Sequence, residues 1–364
     1  MYQDTKIEKK IKAEVVAMTA EDLDAVSLKR GGEILKRGGL VAFPTETVYG
    51  LGGNALDPQA SRKIYAAKGR PSDNPLIIHI ADIESLSEIV ENIPEKAKIL
   101  AEKYWPGPLT IILPKAECVP KETTGGLESV AVRLPEDVIA QALIREAGGF
   151  VAAPSANTSG RPSPTTAQHV IEDLGDAADM IIDGGPVGIG LESTIVDFTE
   201  EIPVVLRPGA ISLKMLQQTL GEVRMDKALL KEESGQKPKA PGMKYRHYAP
   251  KAELFIVEGS VEAVTETIND YAKAAQAEGK QIGIIAVEET IAKYTQGVVK
   301  CIGSREDEET IAANLYKVLR EFDQCQVCAI YSEAFYTPKM GQAIMNRLLK
   351  AAGHKIIYTQ EGGK

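Results

Sequence analysis

Two short loops carry the residue types that polyphosphate chemistry needs. Lys68-Gly-Arg-Pro-Ser-Asp-Asn-Pro75 sets two cations one glycine apart, stiffened by prolines, ahead of the apolar run 76–80. Lysine is a point charge and arginine a planar fork, and both suit phosphate oxygens. The competing reading is a solvated helix end, where cations favour the dipole. Ala153-Pro-Ser-Ala-Asn-Thr-Ser-Gly-Arg-Pro-Ser163 leaves a predicted strand at its C-terminal end and offers hydroxyl and amide groups without bulk. Such a loop either wraps an anion with N–H and O–H donors or forms an Asn/Ser-rich turn.

Other candidates stand at predicted strand ends. Thr45 lies in Pro44-Thr-Glu-Thr-Val-Tyr-Gly50, Arg133 closes the strand 130–134, and Arg207-Pro-Gly209 follows the strand 204–207. In a twisted sheet such ends can converge on one crevice, where α/β sheets place ligands. Gly188-Ile-Gly190-Leu-Glu-Ser193 is an incomplete dinucleotide fingerprint and reads as a turn needing positive φ. No Walker A sequence and no nucleophile elbow occurs. Of the cysteines, Cys118, Cys301, Cys325 and Cys328, only the last two make a CxxC, alone and short of the ~4 ligands zinc takes. Catalysis then rests on positioning and charge stabilisation, as in transfer at phosphorus.

The elements that must hold these loops alternate between strand and helix, which predicts α/β architecture. Further strands are expected at 40–43, 75–80, 109–113, 150–153, 180–183 and 194–198, with helices around 61–68 and 137–146. Thr19-Ala-Glu-Asp22 reads as a capping box opening a helix that runs to Gly38-Gly39. The chain divides into a first domain, 1–220, a breaker-rich linker, 221–250, and a smaller domain, 251–364, with a mostly parallel sheet. In that last domain strands are expected at 253–258, 281–287 and 327–331. Helices are expected at 261–277, from a Ser304-Arg-Glu-Asp307 capping box to Phe322, and at 341–352.

With 364 residues, 44% hydrophobic and 26% charged, two globular domains are expected. A formal charge of -9 argues against a broad nucleic-acid-binding face. The polar first twelve residues and the lack of a long apolar run predict a cytoplasmic protein without membrane contact.

Taken in order, Pro44-Thr-Glu-Thr-Val-Tyr-Gly-Leu-Gly52, Lys68-Gly-Arg-Pro71, Asn74-Pro-Leu-Ile-Ile-His79, Trp105-Pro-Gly107, Ala131-Val-Arg-Leu-Pro135, Ala153-Pro-Ser-Ala-Asn157, Gly190-Leu-Glu-Ser-Thr194 and Leu206-Arg-Pro-Gly209 resemble the Sua5/YrdC/YwlC family of threonylcarbamoyl-AMP synthases. Pro241-Gly-Met-Lys-Tyr-Arg-His-Tyr248 and the last domain resemble its longer Sua5/YwlC branch. The resemblance implies a YrdC-like twisted open mixed sheet and a Rossmann-like Sua5 domain. It also implies condensation of L-threonine, bicarbonate and ATP to threonylcarbamoyladenylate, pyrophosphate and water. That product serves t6A formation at position 37 of tRNAs reading ANN codons.

By the same resemblance Lys68, Arg70, Ser155 and Asn157 are catalytic. Threonine lies near Thr45, His79, Arg133, Ala153 and Ser193. ATP lies near Lys68, Ser72, Ser155, Ser163 and Arg207, with Mg2+ carried by the nucleotide and no protein metal site. Tyr245, Arg246 and His247 of the linker are expected to close over the site. The adenylate is expected to pass to the tRNA threonylcarbamoyl-transfer machinery. A hydrogenase-maturation carbamoyltransferase, and an RNA-binding module with weak RNA contact, are the alternatives.

Overall fold

The computed structural model describes residues 11–226, 229 and 248–359. Tyr245, Arg246 and His247 lie outside the described residues. In the first sheet the strands are β1 (Glu14–Ala17), β2 (Val41–Phe43), β3 (Gly50–Asn54), β4 (Ile77–His79), β5 (Leu109–Pro114), β6 (Ser129–Arg133), β7 (Val151–Ala152), β8 (Met180–Asp183), β9 (Thr194–Asp197), β10 (Val204–Arg207) and β11 (Arg224–Met225). Its helices are α1 (Ala25–Lys36), α2 (Pro58–Lys68), α3 (Leu86–Ile89), α4 (Glu95–Tyr104), α5 (Val138–Glu146), α6 (Ala167–Leu174) and α7 (Leu213–Leu220). The spatial order is β1-β8-β2-β3-β7-β4-β6-β5-β9-β10-β11.

Strand direction changes several times across this sheet. β4 runs parallel to β6 but antiparallel to β7. Arg133, ending β6, and Ser155, following β7, therefore leave opposite ends of the sheet, not one shared edge. They still line one cleft because the strands here are short: β4, between them, has three residues and β7 two. Three residues span only ~10 Å, so loops from both ends reach over one face.

Local chemistry sets the helix boundaries, and in two places it corrects the expectation. Thr19 does accept the Asp22 N–H, at 3.2 Å, but this is a turn. The helix starts later, where Asp24 accepts from the backbone of Val26 and Ser27. Before Phe322 the helix begins at Glu308 behind Asp307, which makes no side-chain cap bond, while the Ser304 hydroxyl goes to Glu289. Arg224–Met225 pairs with β10 inside the segment expected to be linker.

The second sheet holds β12 (Glu253–Glu258), β13 (Gly283–Ala286), β14 (Val298–Cys301), β15 (Ala329–Glu333) and β16 (Ile356–Tyr358). They lie in the order β14-β13-β15-β12-β16, every pairing parallel. Helices α8 (Val261–Ala277), α9 (Glu308–Phe322) and α10 (Gly341–Ala352) make the crossovers. The two halves share one apolar cluster: Val48 and Leu191 of the first pack with Leu315, Tyr316, Leu319 and Leu348 of the second. No helix among the described residues is long and apolar enough to cross a membrane.

Gly190 sits at this junction with φ +79°, the positive value its turn demanded. A Cβ there would stand 2.5 Å from the Ala313 Cα and 2.7 Å from the Ala312 carbonyl. Gly190→Ala is expected to cost about 2–4 kcal/mol, since backbone strain and a backbone clash add. Gly69→Ala, at φ +60° with nothing within 4 Å, is expected to cost about 1 kcal/mol. Urea unfolding of the two variants side by side checks the contrast.

Candidate functional site

Helix α2 delivers the first cation. Its last residue, Lys68, is followed by Gly69 in the left-handed conformation, which ends the helix and turns the chain towards Arg70. Lys68 is only 2% exposed, so it is no solvated helix end. Its ammonium donates to the Ser155 carbonyl at 2.5 Å, to the Asn157 carbonyl, and at 3.4 Å to Asn157 Oδ1. Burial, then the neighbouring Arg70, pushes its pKa well below the ordinary lysine value. Lysine thus ties down the second loop from behind.

That loop is fixed in detail. Asn157 Nδ2 donates to the carbonyls of Thr158 and Arg161, at 2.8 and 3.0 Å, which orients its amide. Oδ1 is left to accept the Ser155 hydroxyl at 2.5 Å. Ser155 also bridges to Gly50 at the start of β3.

Both loops border a cleft with about 620 Å³ of empty space, part of it open to solvent. Arg70, Arg133 and Arg207 all line it, with Thr45, His79, Ala153, Ser155, Asn157, Ser163 and Ser193. Ser72 and Lys68 do not join them: Ser72 is exposed, and Lys68 is buried against the second loop. Arg70 is braced by the carbonyls of Asn74, at 3.2 Å, and Pro75, at 3.0 Å, and burial lowers its pKa to about 10.

Arg133 faces Glu46 at 2.6 Å, both nearly buried, and donates to Thr47 Oγ1 at 2.8 Å. Thr47 in turn lies 2.8 Å from Thr45 Oγ1, whose hydroxyl donates to the Val48 carbonyl at 2.7 Å. Arg207 binds Ser193 twice, through its carbonyl at 3.0 Å and its Oγ at 3.1 Å. Burial lowers the Arg207 pKa to about 10, with Glu192 opposing the shift.

Several residues here were not anticipated from sequence. Glu192 and Tyr248 line the cleft too. Glu192 receives Ser163 Oγ–H at 2.5 Å, the Tyr316 hydroxyl at 2.9 and 3.1 Å, and Arg347 Nε at 3.0 Å. Burial works to raise its pKa, but Arg347, then Arg207, then the Ser163 hydroxyl hold it at about 2. Tyr248 stacks on Tyr316, ring centroids 5.1 Å apart. A motif around Glu192 was visible; its partners, in a distant helix pair, were not.

His79 is buried at the cleft wall, with Nδ1 donating to the Ile77 carbonyl at 3.2 Å. Burial, then Arg133, lowers its pKa from 6.5 to about 3, so the folded protein keeps it neutral. The unfolded chain takes up that proton first, so stability falls as pH drops from 6.5 towards 3. His79 alone is expected to remove about 2–3 kcal/mol over the first two pH units. Urea melts at about pH 6.5 and 4.5 check this. A drop as large in His79→Gln as in the parent would count against it.

Known proteins share this arrangement. A family model of Sua5, YciO and YrdC proteins, described as "Telomere recombination", matches residues 33–209. Another, described as "Threonylcarbamoyl-AMP synthase, C-terminal domain", matches 211–353. The threonylcarbamoyl-AMP synthase of Bacillus subtilis (strain 168) is 49% identical over 91% of this chain and 94% of its own length. That of Pyrococcus abyssi is 47% identical over 94% of this chain and 99% of its own. The crystal structure of P. abyssi Sua5 complexed with L-threonine matches with a TM-score of 0.89 at 46% identity, over 96% of this chain and 99% of that one. Sequence and structure agree along nearly the whole length: the chain belongs to the threonylcarbamoyl-AMP synthase family.

Proposed function

We propose that this protein condenses L-threonine, bicarbonate and MgATP into L-threonylcarbamoyladenylate, pyrophosphate and water, for t6A formation on tRNA. The observation that carries this reading is the convergence of Arg70, Arg133 and Arg207 on one cleft. Its substrates bring a carboxylate, a carbamate and a triphosphate, and three guanidiniums match that inventory. P. abyssi Sua5, alike over the whole chain, binds L-threonine.

In this reading the threonine amine and bicarbonate form a carbamate with loss of water. A carbamate oxygen then attacks the α-phosphorus of ATP, and the bond to pyrophosphate breaks. Arg133 holds the threonine carboxylate, taking it in place of Glu46. Neutral His79 and Ala153 shape the surrounding wall. Ser193, whose hydroxyl sits 2.7 Å from Thr110 Oγ1, is placed to bond the substrate's polar groups. Arg70 and Arg207 meet charge as it gathers on phosphoryl oxygens, and Ser155, Asn157 and Ser163 form the nucleotide wall.

Glu192, in the cleft wall, and Glu46, beside Arg133, are both engaged by arginine. We therefore assign Mg2+ to phosphate oxygens and water, arriving with ATP. Tyr245, Arg246 and His247 keep their proposed role as a cover over the labile intermediates, supported by the neighbouring Tyr248, which lines the cleft. We place the activity in the cytoplasm, with the adenylate handed to the machinery that transfers the threonylcarbamoyl group to tRNA.

Pyrophosphate release from MgATP tests the reading. It is expected to require both threonine and bicarbonate and to yield the adenylate. Release indifferent to threonine would refute it.

A further inference from the structure

The cleft contains a contradiction in charge. A site for a triphosphate also exposes Glu192, a carboxylate held ionised among its walls. An uncompensated buried anion there would repel the substrate and destabilise the fold. Compensation comes from the other half of the molecule. Arg347 of α10 is wholly buried and ion-paired to Glu192 at 3.0 Å, and Tyr316 of α9 donates to both carboxylate oxygens.

Arg347 does more than neutralise. It also donates to the Pro208 carbonyl at 2.6 Å and to the Glu192 carbonyl at 3.3 Å. Those carbonyls adjoin Arg207 and Ser193, so one guanidinium pins two segments that border the cleft. A second arginine makes a similar connection. Arg320 of α9 binds the Asp173 carboxylate at 2.8 Å and the Pro162 carbonyl at 2.6 Å, beside Ser163.

We propose that Arg347, assisted by Tyr316, is a positioning residue for the nucleotide: it cancels the charge of Glu192 and sets the backbone that aims Arg207 and Ser163. The second half of the chain thereby completes the ATP site. This rests on the assignment of MgATP to the cleft. It gives the α9–α10 face a task beyond docking, and the two roles predict different kinetics.

The test is steady-state pyrophosphate release by the full-length enzyme, varying MgATP and threonine separately. Arg347→Met takes away the ion-pair partner of Glu192 and leaves it the Ser163 and Tyr316 hydroxyls, and KM for ATP is expected to rise about tenfold or more while KM for threonine stays within about twofold. Glu192→Gln combined with Arg347→Met removes both charges and is expected to recover the part of the ATP affinity lost to the uncompensated carboxylate, but not the part owed to the Pro208 and Glu192 carbonyls that Arg347 held. Arg347→Lys should fall between. A docking role alone predicts that single and double variants lose activity alike, with both KM values moving together, and that result would overturn the proposal.

If Arg347→Met fails to fold, Tyr316→Phe decides, since it removes one hydroxyl and keeps the ring. KM for ATP is then expected to rise about threefold. No change in it would count against the proposal. Parent enzyme that ignores threonine would instead sink the functional assignment itself.

Discussion

Lys68→Met is expected to lower kcat/KM for pyrophosphate release by about 10³-fold or more, with kcat taking most of the loss. The substitution keeps the length and burial of the side chain but removes its ammonium. The Asn157 carbonyl then loses its side-chain donor, while the Ser155 carbonyl keeps only the Asn157 N–H and Asn157 Oδ1 only the Ser155 hydroxyl. A buried acceptor left unpaired costs about 1–3 kcal/mol, so the loop cannot hold its present path. Asn157 fixes the Ser155 hydroxyl, and that arrangement would go with it. Single-turnover assays at saturating ATP check the prediction. A variant retaining more than about a tenth of parent activity would show that Lys68 acts only as packing.

Arg133→Met has the second largest expected effect, and it falls on the other substrate. KM for threonine is expected to rise about 10²-fold, the loss of a charge-assisted carboxylate contact, while KM for ATP changes by less than about twofold. Glu46 would be stranded, because Arg133 is the cation facing it at 2.6 Å. Here neutralising the leftover carboxylate is not a cure. Arg133→Met with Glu46→Gln is expected to regain stability but not threonine affinity, since nothing remains to hold the substrate. Isothermal titration with threonine, alongside urea melts, separates the two quantities. Threonine binding restored in the double variant would disprove the clamp.

The chemistry-bearing loops were legible because each is contiguous. Lys68 and Arg70 are two residues apart, as are Ser155 and Asn157, and turn chemistry keeps such neighbours near each other wherever the chain goes. Alternating strand and helix signals marked most strands of the first sheet and β12, β13 and β15 of the second, but not β14 or β16. The strands that escaped notice have physical reasons for it. β3, Gly-Leu-Gly-Gly-Asn, has almost no strand propensity, yet a Cβ on Gly52 would lie 2.9 Å from both Phe43 and Val151, so tight packing demands glycine there. β1 is an edge strand with little burial, so no apolar alternation marks it. Ser72 is close to Lys68 in sequence, yet it is exposed and outside the cleft wall. Glu192 and Arg347 lie 155 positions apart in different halves, and no local pattern reports such a pair.

The shared apolar cluster has a consequence for how the protein is made. Translation delivers Val48, Gly190 and Leu191 long before Leu315 and Leu348. Glu14 of β1 likewise waits for Met180 before it can pair. The nascent first half thus leaves the ribosome with a sticky face and an acidic side chain whose arginine has yet to be synthesised. Such surfaces are what holdase chaperones bind. Synthesis of α10 is the step that supplies their cover, so the cleft matures only after Leu348 and Arg347 have been made.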